Sequence, residues 1–305
     1  MKTLQIPSPL HHLKPGEEQQ ETNTWIKRDD LIHHQISGNK WRKLVYPLQE
    51  IMLQGAAGII TFGGAFSNHI VATSIACQSL NVTCVGIIRG EEAVSMSNPS
   101  LSVAHRAGMS LHFVDRNSYR LKENAPAVSR IMDQYPGFAV IDEGGRHVLA
   151  LRGVGEIISE ITSTLKRQPE YLLTAVGTGT TFAGMSDSYT GELIGINVLK
   201  HTGIEHEIKE LLGKDRLPKD HRVWHDFHFG GYAKYSDELI TFMHILYQNT
   251  GIKTDVIYTA KLFYAYQELS RSGYFSPGSS IVIYHSGGIQ GNAGMNYRFP
   301  GLIRF

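Results

Sequence analysis

The sequence predicts an α/β protein with mostly parallel sheets, and three observations carry that prediction. Apolar runs of strand length alternate with stretches of helical length along most of the chain. Two of these alternations complete a strand–helix–strand unit. In both, a glycine-rich turn leads from the strand into the helix.

Taken in order, the first unit runs from the apolar strand 58–62 through a helix at about 68–79 to a strand at 82–88. Further strands are expected at 111–114 and 138–141. The second unit begins with the strand 171–176, turns through glycine and threonine, enters a helix near Phe182 and returns as a strand at 192–196. A last strand is expected at 280–284. Neither an internal repeat nor a Pro/Gly linker interrupts the pattern. At 305 residues the chain exceeds what one compact core usually fills, so two lobes sharing a cleft are expected. Such a cleft is where a small molecule binds.

Composition narrows the partners. With 42% hydrophobic residues and a formal charge of +1, the chain has material for a full core and no bulk field, which disfavours nucleic acid and anionic membrane. The opening residues lack the apolar stretch of a signal peptide, and no run reaches the roughly 18 apolar residues of a membrane span. A cytoplasmic protein is expected. Cys77 and Cys84 have no CxxC spacing and read as buried free thiols.

Several segments carry chemistry. After Lys27-Arg28-Asp29-Asp30-Leu31, the run Ser37-Gly38-Asn39-Lys40-Trp41-Arg42-Lys43-Leu44 packs three cations into four positions. A nearby anion such as a phosphate would explain that crowding at a helix start, and a solvated basic turn would read the same. The turn Gly63-Gly64-Ala65-Phe66-Ser67-Asn68-His69 follows a strand and opens a helix, which suits a bound anion. Ser67 or Asn68 also suits a plain N-cap. A third turn, Gly177-Thr178-Gly179-Thr180-Thr181, reads as a phosphate cradle, although it matches neither a P-loop nor GxGxxG. The run His221-Arg222-Val223-Trp224-His225-Asp226-Phe227-His228 invites a metal reading. Its period-two pattern argues instead for a strand, on which His225 and His228 face opposite sides, and no metal is expected. Tyr258, in Val256-Ile257-Tyr258-Thr259-Ala260-Lys261, is either a core aromatic or a site residue.

In this order, GNKWRKL at Lys40, GGAFSNH at Ser67, TGTTFAG at Thr178, GGY at Tyr232 and VIYTAK at Tyr258 resemble the 1-aminocyclopropane-1-carboxylate (ACC) deaminase and D-cysteine desulfhydrase family. That family is a branch of the tryptophan-synthase-β-like, fold-type II pyridoxal 5′-phosphate (PLP) enzymes. The resemblance spans nearly the whole chain. It implies two open twisted sheets flanked by helices, with a larger PLP-binding lobe from residues 1–44 and 155–305 and a smaller lobe from 45–154. It also implies a homodimer. By the same resemblance Lys40 is the Schiff-base lysine, while Lys43 and the turn from Gly177 through Thr178, Gly179 and Thr180 to Thr181 hold the phosphate. Asn68 meets the phenolic oxygen, and Ser67, Asn68 and His69 receive the substrate carboxylate. Tyr258 and Tyr232 line the reacting side, and Thr259 faces the pyridine nitrogen.

The sequence departs from the family pattern at Ser37, Arg146, His147 and Ala260. If the loop after Gly144-Gly145 lines the cleft, Arg146 and His147 alter what substrate fits. Two further positions bear on the reaction. Where ACC deaminases carry glutamate and leucine, this chain has Thr259 and Ser286. A hydroxyl leaves the pyridine nitrogen neutral and the electron sink weaker, which is enough for β-elimination from a small amino acid but not for opening a cyclopropane. The expected products are pyruvate, sulfide and ammonia. The alternatives are ACC deamination, another fold-type II reaction such as serine dehydration or racemisation, and a non-catalytic α/β binding protein.

Overall fold

A computed structural model of the chain describes residues 4–13, 22–34, 36, 38–91 and 98–305. The first three residues and Ser37, on which two of the readings above draw, lie outside the described residues. In chain order the elements are β1 (Leu10–His12), β2 (Asn23–Arg28), α1 (Asn39–Leu53), β3 (Gly58–Gly64), α2 (Asn68–Leu80), β4 (Cys84–Arg89), α3 (Pro99–Arg106), β5 (Ser110–Val114), α4 (Arg116–Leu121), α5 (Pro126–Met132) and β6 (Phe138–Ile141). They continue with α6 (Val148–Leu165), β7 (Tyr171–Val176), α7 (Thr180–Ser186), β8 (Glu192–Asn197), α8 (Ile204–Leu212), β9 (His221–Trp224), α9 (Asp237–Thr250), α10 (Thr259–Arg271), β10 (Ser280–His285) and α11 (Gly291–Arg298).

These strands form two sheets, as expected of an α/β chain of this length. Among the described residues, six strands pair in the order β1-β2-β10-β7-β8-β9, and four pair as β5-β4-β3-β6. All neighbours are parallel except β1, which runs antiparallel to β2 at the edge. Parallel sheets are covered on both faces, so their strands read as continuous apolar runs. That is why β7, β8 and β10 are buried almost throughout. Each sheet accordingly has an apolar cluster on either face.

Three strands differ from the sequence reading, the first being the short edge strand β1, which it did not expect. β2 was hidden by its charged end, because Lys27 looks solvated in sequence. In the fold Lys27 is buried, donating to the Ser8 carbonyl at 2.6 Å and to Glu160. β9 stops at Trp224 instead of continuing through Phe227. At that point the chain leaves the sheet edge, because His225 bonds the Asn197 amide at 2.9 Å and Glu205 at 2.7 Å. The sheet-face argument about His225 and His228 therefore does not apply. Among the described residues no cluster of three or more His, Cys, Asp or Glu is arranged to hold a metal, and no helix is long and apolar enough to cross a membrane.

Candidate active site

A cavity of about 480 Å³ lies where the two sheets meet. Its wall is built from strand ends: Gly64 of β3, Arg89 of β4, Val176 of β7 and Ser286 just past β10. The carboxyl ends of parallel strands are the usual ligand-binding edge of such sheets.

Lys40 reaches this wall because of the turn before it. Gly38 has φ 71°, and its amide donates to the Asp29 carbonyl at 2.9 Å. A Cβ at that position would fall 1.7 Å from the Ser286 carbonyl oxygen, so only glycine lets the chain pass there. The next amide, of Asn39, donates to that same Ser286 carbonyl at 3.1 Å. The head of α1 is thus tied to the loop after β10.

The three cations of α1 part company at this point. Arg42 turns away from the cavity and grips Asp29 with two hydrogen bonds of 2.7 and 2.9 Å and Glu160 with two of 2.8 and 2.9 Å. Tyr284 donates to Asp29 at 2.6 Å, completing a buried network. Lys40 and Lys43 line the cavity. Among the described residues neither has a carboxylate within 4.0 Å. Burial pushes the Lys40 amine down to about 8, with Glu143 opposing. Burial also pushes Lys43 well below the ordinary lysine range, helped by the charge of Lys40. Desolvation dominates the lowering of Lys40, and the neighbouring Arg42 is matched by its own anions.

The second turn behaves as two readings at once. Ser67 caps α2, accepting from the amides of His69 at 3.2 Å and Ile70 at 3.4 Å, and it also lines the cavity. Asn68 sits beside it with its side-chain oxygen buried and unpartnered, and its amide nitrogen has one long contact of 3.5 Å to the Gly288 carbonyl. His69 lines the cavity too, but Thr61 gives its proton to the Ile141 carbonyl and so accepts from Nε2 of His69 at 2.8 Å. The ring is neutral, since burial and the nearby lysines hold its pKa well down. Its single N–H is therefore committed.

Of the remaining sequence-predicted residues, Gly177, Thr178, Gly179, Thr181, Tyr232 and Tyr258 are on the wall. Thr181 accepts from Asn39 at 2.9 Å. Lys261 holds the loop before Tyr232, donating to the carbonyls of Val198, His228 and Gly231 at 2.8 to 3.1 Å. Thr180 and Thr259 are behind the wall. The Thr180 hydroxyl meets that of Thr178 at 3.4 Å. Thr259 donates to Asp255 at 2.7 Å and accepts from the Asp255 amide at 2.8 Å, whereas Ser286 is on the wall itself. Arg146 and His147 are not among the lining residues. Arg146 pairs with Glu210 of α8 at 3.2 Å, and His147 caps α6. Sequence reasoning missed Arg89 and Glu143, which do line the cavity. Their places at or just past parallel strand ends were the available signal.

The chain is similar to known proteins over nearly its whole length. A Pyrococcus abyssi protein, provisionally named a 1-aminocyclopropane-1-carboxylate deaminase, is 29% identical over 302 residues, covering 93% of this chain and 90% of its own. The mitochondrial bifunctional D-cysteine desulfhydrase/1-aminocyclopropane-1-carboxylate deaminase of Arabidopsis thaliana is 28% identical over 94% of this chain and 77% of its own. A crystal structure of an ACC deaminase homologue superimposes with a TM-score of 0.81 at 27% identity, covering 99% of this chain and 95% of that one. A family model described as pyridoxal-phosphate dependent enzyme matches residues 1–287, and on that extent of agreement the chain belongs to the pyridoxal-phosphate dependent enzyme family.

Proposed function

We propose that this enzyme eliminates the β-substituent of a small amino acid, in the manner of a D-cysteine desulfhydrase, giving pyruvate and ammonia with loss of the substituent. Lys40 is the observation that carries the reading: a buried amine on the cavity wall, without a carboxylate partner and pushed down to about 8. A lysine in that state is neutral often enough near pH 8 to attack an aldehyde and to take a proton from carbon.

The residues present fit PLP. Lys43 is a buried amine with no anion beside it, and a phosphate there would favour its charged form. The under-bonded side chain of Asn68 suits a polar ring substituent. On this reading Lys40 and Lys43, Asn68 and the turn of Gly177, Thr178, Gly179, Thr180 and Thr181 hold the cofactor. Bound there, PLP supplies an electron sink for charge developing at the substrate's α-carbon. Ser67, Asn68 and His69 form the turn that receives the substrate carboxylate; because the His69 ring has given its N–H to Thr61, we assign the donors to Ser67 and Asn68. Tyr232 and Tyr258 close the reacting side, where Lys40 moves the proton. Thr259 would act on the pyridine nitrogen only if its hydroxyl left Asp255. Ser286, in the place where ACC deaminases carry leucine, is the hydroxyl already on the wall, and the lack of a glutamate at Thr259 to protonate the ring nitrogen favours elimination over ring opening.

The larger lobe is assigned to residues 1–44 and 155–305 and the smaller to 45–154, with boundaries inside α1 and α6. A cytoplasmic homodimer is the proposed setting; the buried free thiols Cys77 and Cys84 support the compartment and the family resemblance the assembly.

Borohydride reduction followed by peptide mapping should label Lys40, and the enzyme should release pyruvate from D-cysteine while yielding little four-carbon oxo acid from ACC. Labelling at Lys43, or efficient ACC turnover with no pyruvate from cysteine, would overturn the reading.

A further inference from the structure

The wall formed by the smaller sheet carries two charged residues that the proposed elimination does not use. Glu143 is held firmly. The two glycines after it have φ 75° and 73°, and a Cβ on them would come within 3.0 Å of Thr178 and 3.2 Å of Lys43, so the turn is wedged against the cavity. The charge of Glu143 is matched by Lys122 at 3.6 Å, whose ammonium also lies 4.1 Å from the Phe62 ring and 4.2 Å from that of Tyr119.

Arg89 has no such match. Among the described residues no carboxylate lies within 4.0 Å of its guanidinium. Its position is nevertheless restrained. The guanidinium carbon lies 5.5 Å from the Tyr119 ring centre, and a Cβ on Gly64, its register partner in β3, would sit 3.4 Å from one terminal nitrogen. The Tyr119 hydroxyl nearby is buried and interacts with Glu143. Tyr232, half-exposed on the same cavity, has its pKa raised by desolvation and feels the charge of Arg89 opposing that rise. Arg89 is an exposed residue at the end of β4 whose side chain also lines the cavity, so it meets both solvent and whatever binds there. On the wall of a ligand cavity, a planar fork of five donors fits a carboxylate, phosphate or sulfonate.

We propose that Arg89 receives an oxyanion carried on the substrate's side chain, so that the preferred substrate is an amino acid with a negatively charged β-substituent instead of a bare thiol or hydroxyl. The catalytic part of this inference rests on the elimination reading; the binding part does not. With O-phosphoserine, the Cα–H proton passes to Lys40 and the Cβ–O bond breaks with its electron pair leaving on phosphate. Water then releases ammonia and pyruvate from the remaining three-carbon unit.

The PLP-loaded enzyme is titrated with both enantiomers of serine, cysteine, O-phosphoserine and S-carboxymethylcysteine, following the visible band for binding and pyruvate for turnover. The charged amino acids should half-saturate at concentrations at least about tenfold below serine. Arg89→Met should shrink that ratio by a similar factor and Arg89→Lys should keep part of it; Arg89→Gln replaces Arg89→Met should the latter lose the band. The phosphate and carboxylate arms show which oxyanion is preferred. Equal binding of charged and neutral amino acids, or a ratio unchanged in Arg89→Met, overturns the subsite. Preferential binding with no pyruvate from any of them supports Arg89 and removes the elimination reading alone.

Discussion

Arg42 and its neighbours Lys40 and Lys43 occupy one turn of α1, yet they belong to different regions of the molecule. Arg42 is 1% exposed and meets Asp29 and Glu160 through four hydrogen bonds, so burial acts against its charge but the two carboxylates more than restore it and raise its pKa. On the cavity wall Lys43 is buried and Lys40 half-buried with its amine desolvated; neither has a carboxylate partner, and both have lowered pKa values. Desolvation is common to all three. Compensation separates them: the matched cation ties α1 to β10 and α6, while the unmatched pair leaves an electrostatic demand that a phosphate or a carbonyl compound meets.

The largest effect that tests this contrast is on stability. Arg42→Met strands the buried Asp29 carboxylate and should cost about 3–5 kcal/mol in urea unfolding, because a lone buried charge is left behind. A cost below about 1 kcal/mol would mean that the network does not anchor α1.

Lys43→Met should do the reverse. It removes a buried amine with no ion partner, so the PLP-free protein should be at least as stable as before. Cofactor affinity should fall about ten- to a hundredfold, the worth of a hydrogen bond to a charged group. Equilibrium dialysis against PLP measures this, and a stability loss like that of Arg42→Met would erase the distinction between the two regions.

The smallest effect is a pH dependence. In the folded protein Lys40 loses its proton near 8, below the roughly 10.4 of an unfolded lysine. Between those values the unfolded chain binds a proton that the folded one does not, so the PLP-free protein gains stability as pH rises through that window. The rate of PLP capture should climb up to about pH 8 and level off above it, following the neutral amine. A capture rate flat from pH 7 to 9 would place the titration of Lys40 elsewhere.

Much of the site was legible because catalysis on parallel strand ends uses short contiguous turns. Gly38-Asn39-Lys40, Ser67-Asn68-His69 and Thr178 to Thr181 each place several wall residues within a few positions, so a linear reading finds them. Strands β6 and β7 were legible for a related reason, being unbroken apolar runs bounded by turns. β2 was not, since the burial of Lys27 is made tolerable by the Ser8 carbonyl and by Glu160, 133 positions further on. Arg89 and Glu143 were likewise invisible as a pair, because their shared wall depends on how β4 and the turn after β6 lie in the smaller sheet.

By itself, then, the sequence determined the residue types available for cofactor chemistry, the strand–turn–helix units that carry them and the glycine at position 38 without which Lys40 would not reach the cavity. Only the tertiary structure decided which charges are spent and which are free. Arg42 could not be told from Lys43 along the chain, nor Thr259 from Ser286; the first of each pair has its polar group committed to a buried carboxylate and the second faces the cavity. The physical reason is that the energy of a buried charge or hydroxyl is set by what lies within a few ångströms of it, and those neighbours are brought there by packing between elements far apart in the chain.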